Sequence, residues 1–163
     1  MRQIHVLVSA IGLLAHPCDS LHASDPIRVG KAENRSSGEI VHRVSCPWQT
    51  GETLIRVLLP TDVKDGETLR VLFVLPVEGG EGKRWGNGLQ EIRKLKLHDR
   101  HRLICVAPTF AQLPWYADHP TDSEIAQETY FLKAVVPAID RLYSTSAKSQ
   151  DRLLLGFSKS GWG

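Results

Sequence analysis

The sequence lacks what would tie it to a membrane, a metal or a nucleic acid. No apolar run approaches the about 18 residues needed to cross a bilayer, so stable membrane insertion is not expected. Cysteine is scarce, with three in 163 residues. Cys46 and Cys105 lie far apart and form no close Cys pair of the zinc-ligand kind, so no metal or other cofactor is expected. No run of five basic residues occurs, and Lys+Arg 20 against Asp+Glu 18 leaves a formal charge of +2. The densest basic stretch, residues 93–102, reads as the solvated end of an amphipathic helix, and no nucleic-acid partner is expected. Internal repeats and low-complexity segments are also missing. What remains is ordinary globular composition, enough for one domain.

The N-terminus carries Arg2, then an apolar run from Val6 to Ala15, then polar residues and a small residue at Ala23. That is the layout of a secretory signal. Residues 1–23 are expected to be a signal peptide, and the mature protein to be secreted or periplasmic. Cys18 leaves with the signal on this reading. Cys46 and Cys105 then either pair or stay as buried thiols.

Residues 39–46 alternate in hydropathy and predict a strand. Residues 53–59 and 69–75 predict two more, with the Asp65-Gly66 pair in residues 60–68 suggesting a hairpin between them. The first two suit an antiparallel edge, the third a strand buried on both faces. A glycine-rich loop occupies residues 76–82. A helix is predicted over 88–98, with Leu89, Ile92 and Leu95 on one face. A buried strand follows at 102–107. Thr121 with Glu124 fits a capping box, predicting a helix from 121 to 143 interrupted by Pro137, its core face including Ile125, Leu132, Val135, Ile139 and Leu142. Residues 152–155 are a last apolar strand. The order β-β-β-α-β-α-β argues for an α/β sandwich with parallel central strands.

The chemistry is concentrated at the end of that last strand. Gly156-Phe157-Ser158-Lys159-Ser160-Gly161 is small-x-Ser-x-small directly after an apolar strand, the pattern of a nucleophile elbow. The serine must ride a sharp strand-to-helix turn that lifts its hydroxyl clear of the sheet. Residues two before and two after it, Gly156 and Ser160, must be small because they crowd each other. Gly161 allows the following helix to pack closely on the strand.

Together with Val136-Pro137-Ala138-Ile139-Asp140-Arg141-Leu142-Tyr143 and Asp151-Arg152, this elbow resembles the α/β-hydrolase group of esterase D-like and feruloyl-esterase-like serine esterases, which includes polyhydroxyalkanoate depolymerase relatives. The resemblance covers about residues 69–163. Relatives usually carry Met or Tyr after the nucleophile and a Gly-Gly pair beyond it; Lys159, Ser160 and Gly161 stand here instead.

The resemblance implies that Ser158 attacks an ester carbonyl to form an acyl-enzyme. The backbone N–H of Lys159 and one from Val77 or Glu78 would form the oxyanion hole. Trp115, Tyr116 and His119 are candidates for the walls of a substrate cleft, packing on the core being the alternative for the two aromatics. In this fold the triad runs Ser, then Asp or Glu, then His, and the upstream histidines His42, His98 and His101 do not suit that role. Residues 24–163 are therefore expected to be the N-terminal part of one α/β-hydrolase domain, with central parallel and N-terminal antiparallel strands. It would lack the C-terminal strands and helices, and with them the triad acid and histidine. Such a chain alone is expected to be inactive and prone to aggregate. The expected substrate is a small or polymeric ester. A non-catalytic scaffold and a secreted peptidase of the same superfamily remain open alternatives.

Overall fold

The structure is a computed structural model that describes residues 27–82 and 84–162. The expected signal peptide lies outside the described residues.

Among the described residues seven strands form one sheet: β1 (Arg28–Val29), β2 (Glu33–Asn34), β3 (Ile40–Ser45), β4 (Glu52–Leu58), β5 (Arg70–Leu75), β6 (Leu103–Pro108) and β7 (Arg152–Gly156). Four α-helical segments accompany them: α1 (Gly88–Lys94), α2 (Leu97–Arg100), α3 (Gln127–Tyr130) and α4 (Val136–Leu142). The strand order is β1-β3-β4-β6-β5-β7, with β2 also paired to β3. The N-terminal strands are antiparallel, as is the β4–β6 pair, while β5 runs parallel to both β6 and β7.

The alternation of side chains along the central strands divides the core. On β6, Ile104 and Val106 face one side and Leu103, Cys105 and Ala107 the other. The first side joins Val71, Phe73 and Leu75 of β5 to Tyr130, Val135, Ala138 and Ile139. The second joins Val74 to Leu89 and Ile92 of α1. Each large side chain buried this way contributes about 1.5–3 kcal/mol. Helices on both faces of a sheet with parallel central strands are the sandwich that the sequence predicts.

Three expectations are corrected and one addition is made. Residues 60–68 do not form a hairpin: β4 and β5 are separated in the sheet by β6, because a central strand with parallel neighbours on both sides cannot also pair with β4. Residues 27–34, for which no element is predicted, hold two short strands on the edge of β3. The helix over 88–98 breaks at Lys96, whose φ of 52° is left-handed, and Leu95 is exposed rather than core-facing. The helix predicted from Thr121 begins only at Gln127, since His119 Nδ1 accepts from the N–H groups of Thr121 and Asp122, and Asp122 Oδ1 from that of Glu124. Those side chains satisfy the backbone in a turn instead of capping a helix.

Pro137 leaves a clear mark. It has no N–H to give, and the turn before α4, Phe131–Val135, is a π-helix in which the Val136 N–H donates to Phe131 O. The wider turn shifts the helical face, leaving Leu132 and Leu142 exposed while Val135 and Ile139 stay buried.

Candidate functional site

β7 ends at Gly156 beside β5, and Ser158 opens a single 3₁₀ turn, Ser158–Trp162. Ser158 has φ 55°. For an L-residue other than glycine that region costs about 1–2 kcal/mol. Two local features enforce it. A Cβ on Gly156 would lie 2.0 Å from Ser160 O and 2.6 Å from Gly161 N, so only glycine allows the chain to fold back this tightly. Ser160 is buried, and its hydroxyl both accepts from the Phe157 N–H (2.8 Å) and donates to the Phe157 carbonyl (2.9 Å). The crowding therefore falls between Gly156 and the backbone of residues 160–161. At Gly161 a Cβ would find ordinary contacts at 3.7 Å, so close packing does not require glycine there. Ser158 itself is exposed.

The loop after β5 is stitched to the loop after β6. The Gly80 N–H donates to Phe110 O (2.7 Å), and a Cβ on Gly79 would meet Gln112 O at 2.9 Å. The Tyr116 hydroxyl donates to Pro76 O. Val77 and Glu78 line a cavity of about 350 Å³ together with Gly156 and Phe157. Ser158 lines a second, more open cleft of about 570 Å³ with Trp115, Lys159 and Trp162. The chain passes from one to the other between Phe157 and Ser158.

Trp115 stands in the Ser158 cleft, largely exposed, with Lys159 Nζ 4.7 Å from its ring centroid. Its backbone is held by Gln127, whose buried Oε1 accepts from the N–H groups of Trp115 (2.6 Å) and Tyr116 (3.1 Å) and whose Nε2 donates to Leu113 O (3.2 Å). Burial pushes the Lys159 ammonium below its usual range, with Glu78 pulling the other way. Tyr116 packs edge-on against Phe110, and burial raises its phenol. It borders a separate apolar cavity with Phe131 and Leu154. His119 is engaged in its own loop turn and is not part of the Ser158 cleft.

Among the described residues no histidine lines that cleft. His42 bonds Gly30 O (3.1 Å) and the Tyr143 hydroxyl (2.7 Å), and His98 is buried beside Asp99. His101 is the C-cap of α2. Cys46 and Cys105 are both free thiols. No group of three or more His, Cys, Asp or Glu among the described residues is placed to hold a metal ion.

Sequence reading missed three contributors. Gln127 gave no signal, being one polar residue in a helical stretch. Trp162 lines the cleft four residues beyond Ser158, a spacing that an α-helix, though not this 3₁₀ turn, would put on one side. Arg56 is a lone charge in the apolar run Leu54 to Leu59, and that isolation was a usable sign. It is buried, lines the cavity behind Gly156, and has Glu39 4.0 Å away; burial depresses its guanidinium while Glu39 opposes that.

No protein-family profile matches the chain, and no curated protein sequence matches it significantly. Among the solved structures similar to it are two hydrolases. One is an S-formylglutathione hydrolase from Agrobacterium tumefaciens, with TM-score 0.57 and 14% identity, covering 82% of this chain and 53% of that one. The other is a ferulic acid esterase, with TM-score 0.56 and 18% identity, covering 84% of this chain and 52% of that one. The chain thus spans about half the length of these neighbours and has a partial α/β-hydrolase fold.

Proposed function

We propose that this chain is part of a serine hydrolase that cleaves carboxylic esters through an acyl-enzyme on Ser158. The observation that carries the reading is the left-handed backbone of Ser158, exposed at the carboxyl end of a strand in the parallel part of the sheet. A strained non-glycine residue at a strand end needs a reason, and presentation of a nucleophile is a recurrent one. The Lys159 N–H and one from Val77 or Glu78 would receive the oxyanion. Removal of one such donor costs about 3–4 kcal/mol of transition-state stabilisation.

A serine needs a base to take its proton and an acid to orient that base. With no described histidine at the cleft, we assign both to residues outside the described ones, within the protein in its natural length. The sequence of residues 1–23 supports export of that protein. The test is turnover of 4-nitrophenyl acetate by the natural-length protein. Ser158→Ala should lower kcat by at least about 10³-fold, while an unchanged rate would refute the nucleophile.

That no histidine lines the Ser158 cleft among the described residues favours one other reading, a hydrolase-like binding scaffold. It predicts no turnover even at natural length, with folding intact.

A further inference from the structure

We propose that the cleft at Ser158 selects esters that carry a free carboxylate, recognised by the ammonium of Lys159. The inference deepens the ester-hydrolase reading of Ser158 and rests on it.

Lys159 Nζ is shielded from solvent yet has no hydrogen-bond partner. An ammonium has three donors and no acceptor of its own, so burial without a partner is costly unless something compensates it. The face of Trp115, 4.7 Å away, compensates in part through the ring's negative quadrupole. It supplies no lone pair. Glu78 is felt electrostatically, but no ion pair forms between the two. Lys159 lines the cleft that holds Ser158, and its ammonium reaches an anion there by turning off the face of Trp115.

A carboxylate on the substrate supplies what is missing: negative charge and acceptor oxygens for the three donors. It would also favour the charged ammonium that burial disfavours. Because Lys159 follows Ser158 directly, their Cα atoms are about 3.8 Å apart. The anion would be held a few carbons from the scissile carbonyl, as in a half-ester of a short dicarboxylic acid. Trp115 and Trp162 give the same cleft apolar walls for the intervening carbons. Trp115 is not free to drift, since Gln127 clamps its backbone.

Equilibrium binding to the Ser158→Ala variant of the natural-length protein separates recognition from chemistry. The probes are monomethyl succinate, an anion at neutral pH, and dimethyl succinate, its neutral counterpart. Binding is followed by NMR shifts of the Trp115 indole and the Lys159 amide. The monoanion should bind at least about tenfold more tightly. That preference should vanish in Lys159→Met and survive in Lys159→Arg. Equal affinities, no binding of either probe, or a preference kept in Lys159→Met would overturn the proposal. Should Lys159→Met not fold, the preference of the parent chain decides alone. If the anion preference holds while turnover fails, the nucleophile reading falls and the anion site stands.

Discussion

Ser158 is where local strain and exposure meet, and substitution there separates a functional residue from a structural one. If its left-handed backbone is held for chemistry, glycine should be more comfortable than serine at the position. Ser158→Gly is expected to raise unfolding free energy by up to about 1 kcal/mol, since relief of strain outweighs added chain entropy, while abolishing any ester turnover. Gly156→Ala should do the opposite. Its Cβ would collide with backbone rather than with a flexible side chain, and the loss should reach about 1–3 kcal/mol or more. Urea titration of both variants reads the two signs, and a destabilised Ser158→Gly would contradict the account of strain. At this scale the sequence was legible where one residue type is sterically dictated, as at Gly156, and illegible where function depends on approach through space. Nothing in Lys159 or Trp115 as letters shows that one stands over the other, and nothing in Gln127 shows that it clamps the loop that carries Trp115.

Strands were more legible than helices, for a reason visible in the elements. β5 and β6 are runs of apolar residues whose meaning does not depend on register. Thr121 and Glu124, by contrast, fit a capping pattern whose outcome turned on His119 and Asp122 capturing the same backbone donors. Strand order was not legible either, because the insertion of β6 between β4 and β5 is a matter of topology and not of turn chemistry. The element with most consequence is β7. Among the described strands it pairs only with β5, and Leu154, Leu155 and Phe157 are exposed on and beside it at 58%, 46% and 71%. An apolar strand with an unpaired edge templates association. The 163-residue chain is expected to self-associate at micromolar concentration in light scattering, and Leu155→Lys with Phe157→Ser should reduce that markedly. A monodisperse monomer at that concentration would refute it.

Over the whole molecule, the two-sided core makes stability sensitive to alkaline pH. Burial raises the Cys105 thiol to about 12 from 9.0 and the Tyr143 phenol to about 12 from 10.0, and it raises Tyr116 and Tyr130 as well. Each group stays protonated in the folded state after its unfolded counterpart has ionised. The unfolded chain then binds fewer protons, so stability falls as pH rises. Urea midpoints are therefore expected to show no loss from these groups below about pH 8 and a progressive fall from about pH 9 to 12. Cys105→Ser should not be used to probe this, since a hydroxyl at a site with no exposure brings its own unsatisfied donor. Cys105→Ala removes the thiol's share of the alkaline loss, and a curve unchanged by it would assign the loss to the tyrosines.

The central claim is that Ser158 is a nucleophile poised on a strained turn. It is tested most directly by treating the natural-length protein with a fluorophosphonate and mapping the adduct by peptide mass spectrometry. The account predicts one adduct, on Ser158, absent from Ser158→Ala. No adduct on a folded protein, or an adduct on another residue, would contradict it.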